Sequence, residues 1–105
     1  MFIEFEKDYL LELYRSGSTS DKKHRYQPSV IRGYQKVVSI LSMAKRIEDL
    51  FQFNSLNYEV LDGDKKGLSS VRINRQYRLE FKVYNKDSVD IVTCCRLIDI
   101  SNHYK

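Results

Sequence analysis

Tryptophan is absent from this 105-residue chain, proline occurs once and glycine four times. Histidine is confined to His24 and His103, so no HExxH pair or comparable metal-ligand spacing can be drawn. The two cysteines, Cys94 and Cys95, are sequence neighbours. Adjacent strand residues point to opposite faces, which makes an ordinary disulfide between them implausible. Neither has a CxxC partner or belongs to a four-ligand zinc pattern. They read as two small thiols packed in a strand, with a catalytic thiol as the alternative. No apolar run approaches the roughly 18–20 residues that cross a bilayer. The opening MFIEFEKDYL carries acids where a secretion signal needs a basic start and an uncharged core, so a cytoplasmic location is expected. The segment GDKKGL lacks the GxxxxGK[ST] frame of a phosphate-binding loop, and no nucleophile elbow occurs. What remains is acid–base chemistry without metal or cofactor.

Apolar residues make up 42% of the chain, and eight Tyr with five Phe supply large surfaces for a core. The length suits one domain spanning 1–105. FIEFE (2–6) alternates apolar and acidic residues, as a half-buried strand does. Tyr9, Leu10, Leu13 and Tyr14 then form one helical face, with Gly17 placed to end the helix. Residues 16–27 are polar and read as an exposed loop or helix extension. Pro28 starts the second helix, over 28–45. Its apolar stripe is Val30, Ile31, Tyr34, Val37, Val38, Leu41 and Ala44. A short helix through Ile47, Leu50 and Phe51 follows.

From Tyr58 the apolar period becomes two. YEVL, LSSVRIN and YRLEFKVY read as strands separated by the turns DGDKKG and Arg75-Gln76, and SVDIVTCCRLI as a central strand, apolar on both faces. The tail DISNHYK is polar. The expectation is an α+β fold: an N-terminal strand and two to three helices packed on one face of a small antiparallel sheet. Val71, Ile73, Tyr77, Leu79 and Phe81 face the helices, which leaves Arg72 and Arg78 on the opposite, solvated face.

Charge is distributed unevenly. The net charge is +4 with pI near 9.1, yet residues 65–82 hold six basic side chains (Lys65, Lys66, Arg72, Arg75, Arg78 and Lys82) against one acid, Glu80. Guanidinium groups offer forked donors that match phosphate oxygens. Charged strand faces also protect sheets from edge pairing, so the pattern admits a nucleic-acid site or a merely solvated face. RNA carries its own nucleophile, the 2′-hydroxyl. Its cleavage needs only proton transfer and charge stabilisation, which His, Tyr, Arg and Lys can provide. His24, in the polar loop, reads as a surface histidine, and the terminal His103-Tyr104 as a frayed end or a functional pair.

The ordered run FNSLNYEVLDGDKKGLSSVRINRQYRLEF, preceded by IEDLF, resembles the HigB-type toxins of the RelE/ParE superfamily. The resemblance covers about residues 28–105. Its most specific parts are L-x-G-D-x-x-G, from Leu61 to Gly67, then SVRIN and QYRLEF. It implies a RelE-like fold and a ribosome-dependent mRNA endoribonuclease that uses 2′-hydroxyl attack without a metal or cofactor. It also implies neutralisation by a HigA-like helix-turn-helix antitoxin, and DNA contact only through that antitoxin. Carried over by position, Arg78 contacts the scissile phosphate and Arg72 occupies a neighbouring basic position. Lys65 and Lys66 match the basic loop that faces the RNA backbone, and Arg75 and Lys82 in the same charged segment are further RNA-binding candidates. His103 and Tyr104 match the C-terminal residues that act on the reaction or stack on a base. Two positions depart from the pattern: Tyr58-Glu59 stands where many members have a histidine, and the chain ends Asn-His-Tyr-Lys. Glu59 is either a general base or a strand-end surface carboxylate. A non-catalytic ParE-like inhibitor of DNA gyrase, and a degenerate toxin acting only in operon regulation, are the other readings.

Overall fold

The computed structural model describes residues 1–86 and 92–102. The chain begins with strand β1 (Phe2–Phe5), helix α1 (Asp8–Ser16) and helix α2 (Pro28–Met43). A 3₁₀ segment, Ile47–Gln52, and a shorter turn, Asn54–Leu56, follow. Then come β2 (Glu59–Val60), β3 (Ser69–Arg72), β4 (Tyr77–Lys86) and β5 (Val92–Asn102). Among the described residues the strands form one sheet in the order β1-β5-β4-β3-β2.

Local chemistry accounts for the helix ends. Gly17 adopts φ 73° and its N–H donates to the Leu13 carbonyl at 3.1 Å, which closes α1 in a left-handed cap. Pro28 occupies the first turn of α2, where no backbone donor is needed. At the other end of α2, the Met1 ammonium donates to the carbonyls of Leu41 and Ser42, each at 3.2 Å, and also to that of Ala44. A cation at a helix C-terminus complements the partial negative charge there.

The expected stripes are the ones buried. Tyr9, Leu10 and Leu13 of α1 meet Tyr34, Val37, Val38 and Leu41 of α2 over one face of the sheet. Val71, Leu79, Phe81, Cys95, Leu97 and Ile100 supply the sheet side. The Tyr34 hydroxyl donates to the Leu10 carbonyl at 2.6 Å, fixing the helix pair with a satisfied polar tip. Gly33 lets α2 approach the β3–β4 turn; a Cβ there would sit 3.1 Å from Cγ2 of Ile73.

Three details differ from the sequence expectation. β1 pairs with β5 in parallel, Phe2 to Cys94 through Phe5 to Leu97, so the sheet is mixed rather than antiparallel throughout. α1 and α2 carry the chain across the helix-covered face between them, which allows this crossover. The tail through Asn102 is strand, because β4 offers it partners down to Tyr77–Asn102. The segment after α2 is 3₁₀ rather than α-helical. β5 does lie centrally, between β1 and β4, and both thiols on it are buried and free. Burial pushes the Cys95 thiol up to about 12, the opposite of an activated nucleophile.

Candidate nucleic-acid interface

β3 and β4 are joined by a turn that the Asn74 side chain holds. Its Oδ1 accepts from the backbone N–H of Gln76 (2.9 Å) and of Tyr77 (2.8 Å), while Ile73 N–H donates to the Tyr77 carbonyl at 2.9 Å. This register sets Arg72 directly opposite Arg78. Arg72 is exposed, and its Nε donates to the Asn74 carbonyl at 3.2 Å.

Arg78 is not on open surface. It is 4% exposed, against the expectation of a solvated guanidinium. The face was read correctly, since Arg78 alternates with the core residues Leu79 and Phe81. Its cover was not legible. The stretch from the Asn54–Leu56 turn to β3 folds over this end of the far face, and period-2 patterning carries no information about such a cover. The Arg78 Nε donates to Ser70 Oγ at 2.8 Å, and Nη2 donates to the Asn57 carbonyl at 2.5 Å and the Ser70 carbonyl at 3.2 Å. Asn57 reaches this position with φ 44°, the left-handed conformation that asparagine tolerates better than most residues.

None of these acceptors is charged, and among the described residues Arg78 has no carboxylate within ion-pair distance. Burial pushes its guanidinium below the ordinary arginine value. The Glu59 carboxylate opposes that shift through space, and the Arg72 charge adds to it. A desolvated cation held by neutral acceptors is costly, and an anion supplied from outside would relieve the cost. Among the described residues Nη1 makes no hydrogen bond, so its two hydrogens are available there for such a ligand. The guanidinium forms one wall of a hollow of about 130 Å³ lined by Asn57, Glu59, Arg72, Asn74, Arg75 and Arg78.

The structure thus gathers Arg72, Arg75 and Arg78 and adds Glu59, the one carboxylate among the described residues that lines the hollow. It keeps the other basic residues apart. Lys65 Nζ lies 2.6 Å from Oε2 of Glu80, whose side chain is only 8% exposed, and so ties the Gly63–Lys65 turn to β4. Lys66 is exposed on that loop and does not line the hollow. Lys82 is exposed opposite Arg96, four residues and about 13 Å along β4 from Arg78. His103 and Tyr104 lie outside the described residues. Ser101 pairs with Arg78, so β5 delivers the chain to this end of the sheet just before them. Among the described residues no three His, Cys, Asp or Glu side chains converge to hold a metal.

Sequence reading missed Asn57, Ser70 and Asn74, which position the arginines. The two asparagines were signalled only by that residue type at a chain reversal, and Ser70 by nothing. His24 is also more engaged than a surface histidine. Its ring stacks on Tyr9 at 3.6 Å, and Nδ1 lies 3.0 Å from Asp21 Oδ2, though without the alignment of a hydrogen bond. Tyr26 packs edge-on against Tyr77 at 5.1 Å beside it. These aromatics hold the 18–27 segment against the sheet.

Comparison with known proteins bears on the family and the fold. Residues 3–93 match the profile of the HigB-like toxins, described as the RelE-like toxin of the type II toxin–antitoxin system HigB. The matched stretch ends before His103 and Tyr104. The chain is 37% identical over 84 residues to Toxin HigB-1 of Vibrio cholerae, covering 78% of this chain and 83% of that protein. It is 28% identical over 83 residues to an uncharacterized protein of Haemophilus influenzae, covering 79% of each. The fold is similar to that of a YoeB/ParE toxin from Agrobacterium tumefaciens, with TM-score 0.55 and 15% identity over 99% of this chain and 100% of that one. At that identity the likeness speaks for the fold alone.

Proposed function

The chain belongs to the HigB-like toxins of type II toxin–antitoxin systems, and from that premise we propose that it is a ribosome-dependent mRNA endoribonuclease neutralised by a HigA-like antitoxin. The observation that carries the reading is Arg78, a buried guanidinium with only neutral partners among the described residues, walling a hollow that also holds Arg72, Arg75 and Glu59.

The proposed reaction follows from those groups. The 2′-hydroxyl of the nucleotide in the hollow gives its proton to Glu59, and its oxygen attacks the adjacent phosphorus. Negative charge grows on the equatorial phosphorane oxygens, where Arg78 Nη1, Arg72 and Arg75 meet it. Donors fixed beforehand act strongly there because they need no reorganisation. The P–O5′ bond then breaks, and the leaving oxygen takes a proton from a general acid, a role proposed for His103 or Tyr104. The products are a 2′,3′-cyclic phosphate and a 5′-hydroxyl. Glu59 becomes the proposed base because it lines the hollow, which a mere strand-end carboxylate would not do. Lys66 and Lys82 lie outside the hollow and serve, in this reading, as backbone contacts to a longer RNA path.

Primer extension on messages after induced expression tests the proposal. Codon-phased 5′ ends on translated messages, absent from untranslated ones, are the expected result. Growth arrest with intact messages and inhibited DNA supercoiling would replace this reading with the gyrase one.

A further inference from the structure

We propose that a track beside α2, from Met43 to Arg72, is the docking site of the antitoxin, and that it takes a segment carrying apolar anchors at one end and carboxylates at the other. The inference rests on the toxin–antitoxin reading above and adds the surface and the chemistry of the partner.

Large apolar side chains are conspicuously exposed where α2 ends. Met43 is 78% exposed, Phe51 58% and Phe53 39%. A soluble domain that leaves such side chains together in solvent generally covers them with a partner. Beside them lies a concavity of about 240 Å³ lined by Ile40, Met43, Ala44 and Phe53, with Asp49 and Gln52 at its rim. A second, of about 180 Å³, shares Ile40 with the first and runs past Lys36 and Ile73 to Arg72. Arg72 also lines the hollow around Arg78. The surface is therefore continuous from the apolar patch to the arginines.

The track follows α2 from Met43 back to Gly33, about 15 Å. That is the length of about ten helical or five extended residues, the scale on which an amphipathic segment seats in a groove. Its polarity decides the occupant. The Met43 end is lined mainly by apolar side chains, and the one charged side chain lining it among the described residues, Asp49, already faces Arg46 at 4.0 Å, so this end suits an apolar protein side chain. The far end presents Lys36, Arg72 and Arg75, and among the described residues none of these cations is in an ion pair. Carboxylates from a partner complement them. A segment seated in this way places its acidic end over Arg72 and blocks the hollow, so binding and neutralisation become one event.

The test uses the full chain with Met43→Glu and Phe53→Glu, singly and together, and the antitoxin encoded with it. Met43 is exposed enough that its variant tests docking without a burden on folding, and circular dichroism checks the fold of each. Expressed alone, each variant should arrest growth as the parent does. Co-expressed with antitoxin, the parent should be rescued and the double variant should not. Calorimetry should show antitoxin binding about 30-fold weaker, as for loss of a central apolar anchor. Full rescue and unchanged affinity would overturn the proposal. A folded variant that no longer arrests growth without antitoxin would assign the track to RNA instead. A parent that is a dimer, dissolved by Met43→Glu, would assign it to a second copy of the chain. If the parent arrests no growth, the endoribonuclease reading fails while the calorimetry still decides the docking surface.

Discussion

Replacing Arg78 by methionine separates the structural part of this side chain from its proposed part in cleavage. Methionine keeps the unbranched apolar stem and removes the charge with its three hydrogen bonds, to Ser70 Oγ and to the carbonyls of Ser70 and Asn57. Hydrogen bonds to a charged group contribute about 1.5–3 kcal/mol each when a partner is left stranded. Here the Ser70 hydroxyl can rotate and the exposed Asn57 can turn its carbonyl to water. Removing a buried cation without a carboxylate partner also removes its desolvation cost. The opposing effects leave a net loss of about 1–2 kcal/mol. At about 4–8 °C per kcal/mol for a domain near this size, the melting temperature falls but the chain remains folded. Activity should fall far more. A fixed donor aimed at developing oxyanion charge contributes roughly 10²–10³-fold. Arg78→Lys keeps the charge but cannot span Ser70 and Asn57 with one ammonium, so it should recover only about tenfold of that loss. Single-turnover cleavage on programmed ribosomes, read beside thermal melts, measures both effects. An Arg78→Met protein that melts slightly lower yet cleaves at the parental rate would refute the assignment of the buried guanidinium to the phosphate.

Asn57→Gly should leave stability nearly unchanged, because φ 44° suits glycine, whereas Asn57→Val should cost about 1–2 kcal/mol and weaken cleavage by loosening Arg78, as melts and rate assays will show. Lys65→Met should lower stability by about 1 kcal/mol in denaturant titrations, since it strands the buried Glu80 carboxylate, while cleavage changes little. The Tyr84 hydroxyl, with Lys86 and Arg96, holds the Glu4 carboxyl below its ordinary value of 4.5. Its stabilisation is therefore complete above that pH and lost as pH falls below it, so Glu4→Gln should melt lower at pH 7 and show a flatter acid limb. Deleting residues 103–105 should reduce cleavage far more than melting temperature, and equal cleavage would remove His103 and Tyr104 from the mechanism.

Periodicity and end signals located the elements, because each is set by neighbours within a few residues. The α2 stripe from Val30 to Ala44 could only be one face of a helix, and Gly17 could close α1 wherever α1 packed. Alternation in β3 and β4 likewise placed Val71, Leu79 and Phe81 against the helices and Arg72 with Arg78 on the other face. The concentration of positive charge on residues 65–82 was visible without coordinates.

Which of those charges act together was decided by the tertiary structure. Hydrogen-bond register set Arg72 against Arg78, and the Asn74 turn brought Arg75 to the same hollow. The Glu80 carboxylate took Lys65 away from it, while the extended rise of β4 carried Lys82 out of reach. The parallel seat of β1 on β5 and the cover that Asn57 places over Arg78 both join residues far apart in the chain. A local pattern records which way a side chain points. Whether it then meets water, a carbonyl or an opposite charge depends on a distant segment, and that is fixed only when the whole chain packs.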